Sequence, residues 1–291
     1  MDIKSFKVGI VVKPNQIRAK ESLLKIIQFL KAKKISFLID PIGGELISEK
    51  TEIVERNKLP KFSDLIIVLG GDGTLLSIAR HIPPLKIPIM GINLGRVGFL
   101  TEIPVSEMVE ILQIFFSHGR KSIIQKRMML KATLYREGKK ILSYNCLNDA
   151  VITKSTLARI VQLNVCAING LFADVFADGL IVSTPTGSTA YNLAAGGPII
   201  MPQMDALILT PLCPQTLSLR PTVLPSKEKI EITVANLAEE VFLTADGQTG
   251  TSLLLGDKII IEKSPHYIEL VQNPNRDYFS LLREKLGWAK K

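Results

Sequence analysis

Asp64-Leu65-Ile66-Ile67-Val68-Leu69-Gly70-Gly71-Asp72-Gly73-Thr74-Leu75-Leu76 decides the architecture of this 291-residue chain. The almost wholly apolar stretch Asp64–Leu69 shows no alternation, so it reads as a strand covered on both faces, as in a parallel sheet between helices. Three glycines and one carboxylate then turn the chain into a helix start. Glycine lets a phosphate approach main-chain N–H groups without a Cβ in the way, and a helix N-terminus adds partial positive charge. The loop has neither the Gly-Lys-Ser/Thr ending of a Walker A loop nor the Gly-x-Gly-x-x-Gly dinucleotide spacing. An anionic Asp72 beside phosphates is unfavourable unless it binds a cation, accepts a proton or caps the helix, and the pentapeptide leaves all three open.

Working outward, Lys7–Val12 and Ile35–Ile39 read as strands on either side of a helix whose Leu23, Ile26, Ile27 and Leu30 form one apolar stripe. A weaker, charged helical segment is expected over Glu45–Asn57, a strand at Ile87–Ile92 and a helix over Val105–Ser117, with Gly119 as its stop. This is an α/β domain, doubly wound around a mostly parallel sheet, whose ligands belong beyond the carboxyl ends of the strands. After residue 119 the texture changes. Short strands are expected at Met128–Tyr135, Lys140–Cys146, Val161–Ile168, Leu171–Val175, Lys229–Val234, Val241–Thr244, Ser252–Leu255 and Lys258–Glu262. Asn169-Gly170, Asp246-Gly247 and Gly256-Asp257 supply turns. The expected organisation is an α/β domain over 1–119, a β-rich, sandwich-like domain over 120–270, and a tail over 271–291. In that tail a helix over Arg276–Leu286 packs back on the first domain.

Composition narrows the function classes. With 46% apolar and 22% charged residues the chain is globular. No apolar run is long enough to span a bilayer, and Met1-Asp2-Ile3-Lys4 opens no targeting sequence, so no membrane partner is expected. Cys146, Cys166 and Cys213 are odd in number and far apart, as are His81, His118 and His266, so no metal-ligand spacing exists and a reduced, cytoplasmic location is expected. The net charge of +9 suits polyanionic small substrates. Without an aromatic-interleaved basic stripe, no nucleic-acid partner is expected.

Two further places carry chemistry. In Asp178–Asn192 a strand enters a segment rich in hydroxyls, Ser183-Thr184-Pro185-Thr186-Gly187-Ser188-Thr189, and then a short helix that can end at Gly196-Gly197. Its hydroxyls and amides suit ribose, phosphate or amide groups, and Tyr191 offers a ring to a base; a plain Ser/Thr turn is the competing reading. Asn148-Asp149 pairs an amide with a carboxylate able to fork onto two ribose hydroxyls, or simply makes a turn.

Taken together, Gly70–Thr74, Gly91-Ile92-Asn93-Leu94-Gly95-Arg96-Val97-Gly98-Phe99-Leu100, Asn148-Asp149, Asp178–Gly197, Leu207–Pro221 and Thr244-Ala245-Asp246-Gly247-Gln248 resemble, in this order, the NAD kinase family. The Gly-Gly-Asp-Gly element alone is shared with phosphofructokinases and lipid kinases, whereas the Asp178–Gly197 block is specific. The resemblance implies transfer of the ATP γ-phosphoryl group to the 2′-hydroxyl of the adenosine ribose of NAD, giving NADP. It places the catalytic base at Asp72 and dinucleotide contacts at Asp72, Gly73, Asn148, Asp149, Arg159, Asp178, Thr186, Thr189, Ala190, Tyr191, Asn192, Leu193, Ala194 and Gln248. It also implies a C-terminal β-sandwich and homo-oligomers, dimers or tetramers. With no metal cage in the sequence, a divalent ion, Mg²⁺, is expected to arrive with ATP. Asp149 is one methylene shorter than the glutamate common in the family, and Met201 and Gln215 stand where many members carry histidine. A lipid or sugar kinase, and a catalytically silent NAD(H)-binding sensor, are the competing readings.

Overall fold

In the computed structural model, which describes residues 5–14, 17–48, 51–117, 120–155, 160–167, 170–236 and 240–288, the run Leu65–Leu69 is a central strand with every residue buried. The chain divides into two units, Met1–Lys126 with Ile268–Lys291, and Arg127–Tyr267.

The first unit is built on parallel strands β1 (Lys7–Val12), β2 (Ser36–Ile39), β3 (Leu65–Leu69), β4 (Pro88–Asn93) and the two-residue β5 (Ile103–Pro104). The order across the sheet is β4-β3-β1-β2, with Glu269 and Leu270 pairing in parallel on the free side of β4. Because β2 lies on one side of β1 and β3 on the other, strand order reverses between β1 and β3. Open α/β sheets bind their ligands beyond such a reversal. Helices α1 (Ile17–Ala32) and α4 (Met108–Ser117) cover one face. There Leu23, Ile26, Leu30, Ile111, Leu112 and Phe115 pack with Val8, Ile10, Val12, Ile67, Leu69 and Met90. Helix α3 (Asp72–Ala79) lies on the other face, where a Cβ on Gly91 would sit 3.0 Å from Leu75 Cδ1.

Among the described residues of Glu45–Asn57 the expected helix does not form. The short α2 (Pro41–Gly44) ends before it, capped by the Asp40 carboxylate on Gly43 N–H, and Ile53 bridges to Ile39 as an isolated parallel pair. The segment has no apolar stripe to dock, so propensity alone could not hold a helix. Near the C-terminus, α6 (Tyr278–Leu286) is N-capped by Asp277 and ended by Gly287 at φ 70°, with Leu281 and Leu282 buried in the first unit.

The second unit stacks two antiparallel sheets. One contains β6 (Ile124–Arg136), β7 (Lys139–Cys146), β9 (Val161–Ala167), β10 (Gly170–Ala177), β14 (Ile230–Asn236) and β17 (Lys258–Val271). The other runs β13-β12-β11-β8-β15-β16, from β8 (Asp149–Lys154), β11 (Gly179–Ser183), β12 (Ala206–Leu212), β13 (Thr222–Pro225), β15 (Val241–Ala245) and β16 (Thr249–Leu253). Inward residues of both, among them Leu163, Ile232, Ile261, Ile152, Val182 and Leu243, make one core, as in a β-sandwich. The last strand is longer than its sequence signal: expected to stop at Glu262, β17 continues to Val271. The turn expected at Asn169-Gly170 lies partly outside the described residues, as does Gly119.

Candidate active site

Asp72 is the first residue of α3, yet its carboxylate does not cap that helix. It reaches to a segment 27 to 29 residues further along. Oδ2 accepts the N–H of Phe99 at 2.9 Å, while Oδ1 accepts the N–H groups of Leu100 and Thr101 and the Thr101 hydroxyl, at 3.1, 2.9 and 2.8 Å. A carboxylate offers about four lone-pair positions, two on each oxygen. Oδ1 is therefore saturated, and the open acceptor position is on Oδ2. The Asn93 amide N–H donates to Thr101 Oγ1 and its oxygen accepts Gly95 N–H, which fixes the hydroxyl that holds Asp72. Gly98 is a consequence of this docking, because a Cβ there would lie 2.0 Å from Asp72 Oδ1.

Gly71 and Gly73 differ from Gly98. A Cβ on either would meet nothing within 4 Å. Gly71 has φ −105° and ψ −174°, which other residues also adopt. Nothing among the described residues asks for glycine at these positions, and the space over the bare main chain is open. A phosphate group fits such a cradle.

In the second unit, three separate stretches meet. Asp246 and Gly247 both take positive φ, 51° and 62°, and with Gln248 make the three-residue turn joining β15 to β16. The Asp246 carboxylate accepts the N–H groups of Leu147, Asn148 and Asp149 at 2.9, 2.7 and 3.1 Å. The Asn148 carbonyl in turn accepts Thr184 N–H at 2.8 Å, and Thr184 Oγ1 donates to the Leu147 carbonyl at 2.7 Å. Gly187 passes so close that a Cβ would lie 2.2 Å from Asn148 O. Asp149 begins β8 and is 4% exposed; desolvation, with the Asp246 charge added, pushes its pKa up to about 7. Near neutral pH this carboxyl holds a proton for much of the time and donates as well as accepts.

The other expected contacts fall into two groups. Thr186 is buried, and its Oγ1 has no hydrogen-bond partner. Such an orphaned hydroxyl is costly unless a ligand satisfies it. Thr189 and Ala190 are half-buried, Tyr191 is exposed at the start of α5 (Tyr191–Ala194), and Leu193 and Ala194 follow on that turn. Gln248 is exposed in the turn it makes with Asp246 and Gly247. Asn192 is fully buried and committed inside the protein: its amide donates to the carbonyls of Ser188 and Pro198, and its oxygen accepts the Thr210 hydroxyl. Asp178 is held by Lys154 at 2.9 Å. Arg159 lies outside the described residues. Met201 is half-buried and Gln215 exposed, its N–H bonded to the Phe176 carbonyl. Gly98, Asn93, Thr101 and Asp246 were not among the expected site residues. Three of them stand in the quoted motifs, whereas Thr101 has no local signal at all.

The description of the ATP-NAD kinase N-terminal domain matches residues 8–120, and that of the C-terminal domain matches residues 147–273. An NAD kinase of Geotalea daltonii is 42% identical over 286 residues, covering 98% of this chain and 99% of its own length. The chain belongs to the NAD kinase family. Another NAD kinase, from Solibacter usitatus, is 40% identical and covers 97% of this chain and 98% of its own. Among solved structures, yeast NADH kinase complexed with NADH superposes with a TM-score of 0.91 at 26% identity, covering 100% of this chain and 90% of that one. An NAD kinase from Archaeoglobus fulgidus in complex with ATP gives 0.75 at 26% identity, covering 96% and 99%. The activity is ATP-dependent phosphorylation of NAD to NADP, and the α/β domain followed by a β-rich domain is the family's fold. The lipid-kinase, sugar-kinase and silent-sensor readings fall away.

Proposed function

We propose that Asp72 is the proton acceptor of this NAD kinase, working through Oδ2. The observation that carries the reading is the asymmetry of its carboxylate, with three donors on Oδ1 and one on Oδ2. Four donors hold the carboxylate in one orientation. Positioning is what phosphoryl transfer asks of such a group, because a loose transition state lets the acceptor hydroxyl keep its proton until late. The Oδ2 edge orients the ribose 2′-hydroxyl and takes its proton as the γ-phosphoryl group leaves ATP. The open main chain at Gly71 and Gly73 cradles the ATP phosphates. A divalent ion, Mg²⁺, brought by ATP would supply neutralisation of phosphate charge beside this cradle.

The second unit is proposed as the dinucleotide-binding part. Asn148 and Asp149 address ribose hydroxyls, Thr186 gives its unpaired hydroxyl to the ligand, and Tyr191 packs on a ring. Thr189, Ala190, Leu193, Ala194 and Gln248 line the same contact, with Asp178 at its margin and Asn192 as an internal brace; Arg159, outside the described residues, is proposed as a further dinucleotide contact. The protein is further proposed to act in the cytoplasm as a homo-oligomer, a dimer or tetramer. Free Cys146, Cys166 and Cys213 support a reducing compartment. Light scattering checks the assembly, which is expected at two or four times the monomer mass.

The test of the reading is Asp72→Asn, assayed with NAD, Mg²⁺ and ATP by formation of NADP. Asparagine keeps one oxygen for the Oδ1 donors and removes the acceptor at Oδ2. Turnover should fall roughly 10²- to 10⁴-fold, the usual contribution of a general base, with KM for NAD changed little. Near-normal turnover would leave Asp72 a loop fastener and put the proton elsewhere.

A further inference from the structure

We infer that Lys13 binds the ATP phosphates from the β1 side of the glycine loop, an inference that rests on the kinase reading above. Lys13 follows the last residue of β1, on the strand-order reversal between β1 and β3. Its N–H donates to the Leu69 carbonyl at 2.8 Å, so its Cα is tied to the end of β3, directly beside Gly70. A Cβ on Gly70 would lie 3.0 Å from Lys13 Cβ and 2.6 Å from Thr74 Oγ1. Lys13, Gly70 and the first turn of α3 therefore meet on one face of the sheet.

Arg56, which bonds to Ser77 of α3, is committed to buried Asp40 at 2.6 Å, and also donates to the Val12 carbonyl. Asp72 faces away, toward Phe99–Thr101. The side chain of Lys13 is exposed and, among the described residues, forms no ion pair. A flexible stem with a compact cationic head, rooted beside a main-chain cradle that a Cβ at 71 or 73 would fill, matches the needs of a phosphate chain. The ammonium is free to swing over Gly71–Gly73, where the open space lies. Its three donors suit phosphate oxygens, and the positive charge counters their negative charge as the γ-group transfers.

Steady-state kinetics of Lys13→Met and Lys13→Arg test this, with NAD and ATP varied separately and thermal unfolding followed in parallel. Lys13→Met should lower kcat/KM for ATP roughly ten- to a hundredfold, the range of a charge-assisted hydrogen bond. KM for NAD should move less than threefold and the melting temperature should hold, since the side chain is exposed. Lys13→Arg should recover most of the loss, which a packing role would not produce. If Lys13→Met keeps kcat/KM for ATP within twofold, or loses NAD affinity instead, Lys13 has no phosphate role and the kinase reading stands. A wild-type protein that makes no NADP sinks the kinase reading itself.

Discussion

Thr186 and Asp149 show how single buried groups are left for a ligand or a proton to settle. The Thr186 hydroxyl oxygen is buried without a partner. Thr186→Val keeps the shape and removes the unsatisfied oxygen, so chemical denaturation should show a gain of about 1 kcal/mol. The same variant should raise KM for NAD several-fold, so stability and affinity move in opposite directions. Asp149 is shifted upward, from 3.8 to about 7. In that interval the folded protein holds a proton that the unfolded chain has released. Its contribution to stability therefore falls as pH climbs from about 4 to 7 and stays low above that. The span corresponds to a few kcal/mol at 1.36 kcal/mol per pH unit. Melting curves should show the native protein losing stability between about pH 4 and 7 relative to Asp149→Asn, whose profile should lack this component. Equal profiles would mean that Asp149 ionises normally in the folded state.

Between β1, α2 and α3 the connection is electrostatic. Asp40 is fully buried, accepts the N–H groups of Val12 and Gly43, and pairs with Arg56, which also reaches Ser77 of α3. Arg56→Met strands that carboxylate and should cost about 3–5 kcal/mol in denaturant unfolding, with Asp40→Asn on the same background restoring part of it. Gly98→Ala drives a methyl into Asp72 Oδ1 and should damage turnover while sparing NAD affinity. The elements themselves were mostly readable. The unbroken run Leu65–Leu69 and the alternating burial of Val161–Ala167 leave clear periods in the sequence. Glu45–Asn57 misled because charge spacing resembles a helix face when no apolar stripe is required of it. The Asp72 partners were illegible for another reason: three of the four donors are main-chain N–H groups, which every residue except proline carries. The same holds for Asp246, whose role depends on the N–H groups of residues almost a hundred positions earlier.

At the scale of the molecule, the first unit is discontinuous in sequence, and its late segment is integral to it. Asn273 N–H donates to the Glu102 carboxylate at 2.6 Å, its amide donates to Glu107 at 2.6 Å, and Leu281 and Leu282 of α6 are each 2% exposed. Ending the chain after Val271 removes all of these. Hydrogen exchange should then quicken in β3 and β4 but not in β9 and β14, whose pairings lie within the second unit. The same division has a consequence for biosynthesis. On the ribosome, β4 emerges long before Glu269 and Leu270, the residues that flank it, have been translated. Until they appear, the stretch of β4 around Pro88 and Ile89, beyond its short pairing with β5, is an uncovered hydrogen-bonding edge, the kind of surface that invites misassociation. A pause or nonsense codon late in the message therefore exposes the beginning of the polypeptide.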